Sequence, residues 1–163
     1  MSEMEYPKFS VLMSLYLKEK PEYLNEALKS VINQTVKPNE IVIVYDGPIT
    51  TELKSVVEQY VSNNPGLIKI IDNPENKGLG LALADGVPQC TYELIARMDT
   101  DDICRKDRFE KQLEEFVKDP RLDICGSHIL EFEEKEENIV ARRRVPLVDK
   151  DIKDYQKRRD GFN

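Results

Sequence analysis

One pattern recurs four times in this chain and leaves it few possible folds. A short unbroken apolar run is followed each time by apolar residues at helical spacing. FSVLMSLY (9–16) precedes EYLNEALKSVIN, in which Leu24, Ala27, Leu28, Val31 and Ile32 share one face. Pro21 suits the first turn of that helix, where its missing N–H costs nothing. EIVIVYDG (40–47) precedes TELKSVVEQYV, whose stripe is Leu53, Val56, Val57, Tyr60 and Val61. LIKIIDN (67–73) leads into a glycine-rich segment and a short helix around GLALADGV. YELIARMD (92–99) leads into DRFEKQLEEFV, with Phe109, Leu113, Phe116 and Val117 aligned. Strands that are apolar throughout, rather than alternating, are buried on both faces. The expectation is an α/β fold: a mostly parallel, Rossmann-like sheet flanked by helices on both sides. RLDICGSHILEF (121–132) predicts a further strand after a break at Pro120.

The texture changes near Glu133. EEKEEN is a charge run, and ARRRVPLVDKDIKDYQKRRDGFN has weak periodicity, which reads as a solvated hairpin, short helix or tail. The expected boundary separates an α/β domain, residues 1–132, from an incomplete region, residues 133–163. The 163 residues suffice for one domain with a real core. With 24 basic against 31 acidic residues the net charge is −7, which argues against a nucleic-acid partner. No apolar stretch approaches the ~20 residues a transmembrane helix needs, and MSEMEYPKFS lacks the basic-then-apolar order of a secretion signal. Cys90, Cys104 and Cys125 are odd in number, with no CxxC pair, and read as reduced thiols of a cytoplasmic protein. The single histidine, His128, lies in an apolar run and reads as structural. A metal bound here must therefore be hard and held by oxygen, such as Mn²⁺ or Mg²⁺.

Open parallel sheets bind ligands beyond the carboxyl ends of their strands. Those ends carry Ser14 and Tyr16, Asp46–Gly47, Asp72–Asn73, and Asp99–Thr100–Asp101–Asp102. Asp46–Gly47–Pro48 taken alone is an ordinary turn, Tyr16 an edge residue of the core, and Asp72–Asn73 before Pro74 reads as a turn. The acidic triplet is harder to explain structurally. Asp102 or Asp107 can cap the next helix, but capping uses one carboxylate, not three. A divalent cation with phosphate oxygens in its remaining positions relieves the repulsion, so a metal–diphosphate site is expected at the fourth strand's end. NPENKGLGLALADG (73–86) matches neither GxGxxG nor the Walker pattern; Gly78 and Gly80 are expected to turn the chain closely past the cleft.

SVLMSLY, QTVKPNEIVIVYDG, NKGLGLALADG and ELIARMDTDDICRKDRFEKQLEEF, in this order, resemble the N-terminal part of family 2 glycosyltransferases, the GT-A nucleotide-sugar enzymes. The resemblance runs from about Phe9 to Phe132. It implies that Tyr16 stacks on the base, usually uracil, and that Ser14 helps fix base or ribose. It implies that Asp46 bonds the base edge. Asp99 and Asp101 form the D-x-D element, with Asp101 the metal ligand, Asp99 near ribose or sugar, and Asp102 assisting. Leu83 and Ala84 stand where the family often has Arg and Asn, and Lys106 where proline is common. Donor-sugar contacts at the former pair do not transfer.

The implied reaction is metal-dependent transfer, with inversion, from a nucleotide-sugar, a UDP-sugar by the resemblance. The acceptor would be a saccharide or lipid-linked hydroxyl, in polysaccharide biosynthesis at the inner face of the membrane. Nothing in 133–163 resembles the family's acceptor half or its catalytic base, so the chain is expected to be a truncated fragment that turns over little or nothing, with its catalytic residue unknown. Two rivals stand beside this. A haloacid-dehalogenase-type phosphatase also places Asp-x-Asp after a strand with Mg²⁺, but near its N-terminus. A non-catalytic α/β interaction module would use its acids only as caps.

Overall fold

The computed structural model describes residues 5–134 and 137–157; the first residues of MSEMEYPKFS, Lys135–Glu136 of the charge run and the closing RRDGFN lie outside them. The chain divides into two compact units, Met1–Val117 and Lys118–Asn163. In the first, the elements alternate as the apolar runs dictate. They are β1 (Phe9–Leu15), α1 (Pro21–Ile32), β2 (Glu40–Tyr45), α2 (Thr51–Asn63), β3 (Ile68–Asp72), α3 (Leu79–Gly86), a 3₁₀ turn (Val87–Gln89), β4 (Leu94–Arg97) and α4 (Arg108–Lys118). All strand pairs are parallel, in the order β3-β2-β1-β4.

Register decides which side chain meets which helix. Phe9, Val11, Met13 and Leu15 of β1, with Ile41, Ile43 and Tyr45 of β2, point to one face. There they meet Leu24, Ala27, Leu28 and Val31 of α1, Leu53 and Val57 of α2, and Phe109 and Leu113 of α4. Leu12, Val42 and Val44 point to the other face, against Ala82 of α3. Every apolar side chain of β1 and β2 is thus buried, as unbroken apolar strands require. The connection from β3 back across the sheet to β4 must run on the opposite face from α1 and α2 if all crossovers keep one hand, and α3 is there. Thr50 starts α2 by accepting the Leu53 N–H at 3.2 Å.

The second unit is an antiparallel pair, β5 (Ile129–Phe132) with β6 (Ile139–Arg143), followed by α5 (Asp149–Gln156). Of the strand expected over 121–132, only β5 forms a ladder, and its partner is the return arm of its own hairpin. Asp119 instead folds the start of that run into a turn, accepting the Arg121 N–H through its side chain and the Leu122 N–H through its carbonyl. His128 is structural: its Nδ1 accepts the Val145 N–H at 3.3 Å. Among the described residues, no helix is long and apolar enough to cross a membrane.

Candidate functional site

β1 connects to β2 on one side, while its other neighbour is β4, the last strand of the sheet in chain order. At such a reversal of strand order adjoining loops diverge and open a crevice at the carboxyl edge. The crevice is present: a cleft of ≈ 430 Å³ lined by Ser14 and Tyr16 from the end of β1, Asp46 after β2, and Asp99 and Asp101 after β4. That size suits a small ligand. Five of the six residues expected from the sequence therefore share one cavity. Asp102, the sixth, adjoins it in the chain without lining it. Tyr16 is 43% exposed at the mouth, so its ring is a surface on which a flat ligand can lie.

Asp46 has a second task that its sequence context did not reveal. It is only 3% exposed. Its Oδ1 accepts the Lys77 N–H at 2.7 Å and its Oδ2 the Gly78 N–H at 3.0 Å. Asn76 Nδ2 donates to the Asp46 carbonyl at 3.1 Å. One carboxylate thus fastens the glycine-rich loop onto the end of β2. Gly47 (φ 81°) makes the approach possible, because a Cβ there would meet the Asn76 backbone nitrogen at 2.6 Å. Gly78 (φ 86°) turns its N–H onto Asp46 as the chain enters α3. Gly80, expected to make a second close turn, instead lies inside α3, which starts at Leu79. Asp72 ends β3 opposite Tyr45, and Asn73 is structural: it donates to the Tyr45 carbonyl and to Asp85, which also holds Lys77 at 2.9 Å.

The acidic loop is held from three sides. Thr100, 3% exposed, donates its hydroxyl to Glu19 Oε2 at 2.8 Å, tying the loop to the segment after β1. Buried Gln34, at the end of α1, donates to the Arg105 carbonyl and accepts the Phe109 N–H, while Ser30 accepts the Cys104 N–H. Arg108, at the start of α4, donates to the Arg97 carbonyl at 3.0 Å. Sequence reading passed over Glu19 and Gln34, and gave Thr100 no task of its own, because each acts through a partner far along the chain, 81 positions away for Thr100 and Glu19. The one available signal was a polar residue, Gln34, next to the end of an apolar helical stripe.

Charge is distributed unevenly over the three acids. Arg97 Nη2 donates to both oxygens of Asp99, at 2.6 and 2.7 Å. Asp102 is pushed above the ordinary aspartate value, first by partial desolvation and then by Asp99 and Asp101, with Arg108 and Arg97 pulling the other way. Neither Asp101 nor Asp102 is in an ion pair among the described residues. Asp107, not Asp102, stands directly before α4, paired with Arg105 and Lys111 at 2.8 Å each. Among the described residues no three His, Cys, Asp or Glu side chains are gathered as a complete metal cage. The acidic loop offers oxygen donors only, two of its carboxylates, Asp99 and Asp101, lining the cleft, which fits a Mg²⁺- or Mn²⁺-type ion completed by substrate oxygens rather than a closed protein site.

The sequence model of glycosyl transferase family 2 matches residues 10–162. The chain belongs to glycosyl transferase family 2. It is 44% identical over 156 residues to an uncharacterized glycosyltransferase of Haemophilus influenzae, covering 96% of this chain and 58% of that protein. It is 42% identical to the amylovoran biosynthesis glycosyltransferase AmsE of Erwinia amylovora (95% of this chain, 57% of that one). It is 40% identical to the UDP-Gal:alpha-D-GlcNAc-diphosphoundecaprenol beta-1,3-galactosyltransferase of Escherichia coli (96% and 56%). The family 2 chain thus spans somewhat over half the length of these relatives. Its fold is similar to that of S. aureus TarS, with TM-score 0.58 and 26% identity, over 68% of this chain and 20% of that one. It is also similar to the mannosyltransferase PcManGT of Pyrobaculum calidifontis, whose structure holds GDP-Man and Mn²⁺ (TM-score 0.61, 21% identity, 78% and 36%). The fold is thus the GT-A type that the resemblance implied. Neither the phosphatase nor the interaction-module reading is favoured by these relatives.

Proposed function

We propose that this chain is the donor-binding half of an inverting, metal-dependent glycosyltransferase that takes a UDP-sugar and serves cell-surface polysaccharide synthesis. The observation that carries the reading is the convergence of Tyr16, Asp46, Asp99 and Asp101, from three different strand ends, on one cleft at the sheet's switch point. The named UDP-Gal donor and diphosphoundecaprenol-linked acceptor of the Escherichia coli relative support a UDP-sugar and a lipid-linked saccharide acceptor here. A cytoplasmic site, at the inner face of the membrane, accords with both substrates.

The residues divide the work by their chemistry. Tyr16 offers an aromatic plane to the base, with Ser14 beside it for the base or ribose. Asp46 spends one acceptor site of each oxygen on the glycine-rich loop and retains another on each for the N–H of a uracil edge. Asp101 leads the metal set, flanked by Asp99 and Asp102, and Asp99 also reaches toward the ribose or sugar. A divalent cation held there would supply positive charge opposite the oxygens of the departing diphosphate. Thr100, locked to Glu19, fixes the direction in which Asp99 and Asp101 present their carboxylates. An acceptor hydroxyl attacks the anomeric carbon from the face opposite the diphosphate, its proton passing to a base that we assign to the part of the relatives beyond the match.

Calorimetry with UDP and Mn²⁺ tests the reading. The expected result is heat of binding with Mn²⁺ that is lost in Asp101→Ala. An absence of heat, or heat untouched by that substitution, rejects the site. Release of phosphate from p-nitrophenyl phosphate would instead support the phosphatase.

A further inference from the structure

The Arg97–Asp99 pair has a geometry that bears on how the proposed metal site is loaded. A single guanidinium nitrogen, Nη2, sits 2.6 and 2.7 Å from the two Asp99 oxygens, so the whole carboxylate is engaged. Arg97 lies opposite Leu12 in the β1–β4 register, at the last position of β4. Its carbonyl is clamped by Arg108 Nη2 at 3.0 Å, so the backbone is fixed and only the side chain can leave. Both partners are partly exposed, with side chains 46% and 37% accessible, and exposed pairs of this kind contribute little to stability. The pair is therefore easily opened. A guanidinium does not deprotonate in a protein, so base cannot open the pair; a competing cation can.

We propose that Arg97 is an internal stand-in for the divalent cation, holding Asp99 while no metal is bound and releasing it when the loaded site forms. This rests on the metal-dependent reading above. It explains why three aspartates within four positions are tolerated in the metal-free protein: Arg97 pairs with Asp99 directly, and Arg108, then Arg97, offset the field at Asp102. Metal entry is then an exchange of one cation for another at Asp99, and Arg97 sets the concentration at which it happens.

Mn²⁺ binding, followed by loss of the free-ion EPR signal, tests this on four proteins: wild type, Arg97→Gln, Asp99→Asn and the double variant. Arg97→Gln is expected to bind Mn²⁺ several-fold more tightly than wild type, with little or no such gain in the Asp99→Asn background, because the competitor acts through Asp99. Arg97→Lys, which keeps the charge on a different side chain, falls between. An unchanged or weaker Mn²⁺ affinity in folded Arg97→Gln overturns the proposal. Equal tightening in both backgrounds overturns it too, since that is a general charge effect. If Arg97→Gln melts early, Arg97→Lys carries the same comparison. Mn²⁺ binding to wild type without an Arg97 effect defeats this inference alone, whereas no Mn²⁺ binding by any variant defeats the metal reading with it.

Discussion

Replacing Asp46 by alanine tests whether one carboxylate both shapes the cleft and closes the glycine-rich loop. The substitution removes acceptors for two backbone donors, Lys77 N–H at 2.7 Å and Gly78 N–H at 3.0 Å. A hydrogen bond to a charged partner contributes about 1.5–3 kcal/mol net. Both donors lie at the cleft, where water can enter the vacated space, so the lower figure applies to each and the pair sums to about 3 kcal/mol. For a domain of this size that is a fall in Tm of roughly 10 °C. Asp46→Asn keeps one acceptor oxygen and turns an NH₂ group toward the other donor, so it recovers no more than half of the loss. Urea titration gives the comparison directly, with an unchanged slope showing that the unfolded state is not the cause. Asp46→Ala within about 0.5 kcal/mol of wild type would show that the loop is held by something else, and the account of Asp46 would fail.

Other positions give independent checks. Gly47→Ala must place a Cβ 2.6 Å from the Asn76 nitrogen at a φ of 81°, and should cost about 2–4 kcal/mol in the same titration. Thr100→Val keeps the shape of a buried residue and deletes the bond to Glu19; a loss of about 1–2 kcal/mol is expected, with a weaker response to UDP and Mn²⁺ in thermal melts. Glu40, at the opposite end of the sheet, is raised by partial burial but held below the ordinary glutamate value overall by Ser10, by the Thr91 N–H and hydroxyl, and by Lys69. Its contribution is present above the unfolded carboxyl value of 4.5 and disappears as pH falls through the lower folded value. Glu40→Gln should therefore narrow the stability gap between pH 7 and pH 3, and an unchanged pH profile would count against those bonds.

The sheet was legible in the sequence because β1 and β2 are covered on both faces and so carry unbroken apolar runs. The rim was legible because Tyr16, Asp46 and Asp99 interrupt those runs at their carboxyl ends. Much less could be read of what holds the rim. Glu19 to Thr100, Gln34 to Phe109 and Asp46 to Gly78 join segments distant in the chain, and no local spacing encodes such pairs. Gly80 was given two readings, a close turn and the start of the helix over GLALADGV; the helix holds, because α3 has already begun at Leu79 and the turn is completed at Gly78. Residues 121–128 read as strand because they contain Leu122, Ile124 and Cys125, but β pairing needs a neighbour, and Asp119 turns the chain first.

The central claim is that the end of β4 holds a divalent cation and a nucleoside diphosphate between Tyr16 and the aspartate loop. A crystal structure grown with UDP and Mn²⁺ reads this most directly. The account predicts an anomalous manganese peak with an Asp101 oxygen in its coordination shell and the uracil ring lying against Tyr16. A cleft with neither peak nor base at saturating ligand, or manganese bound away from the aspartate loop, would contradict it.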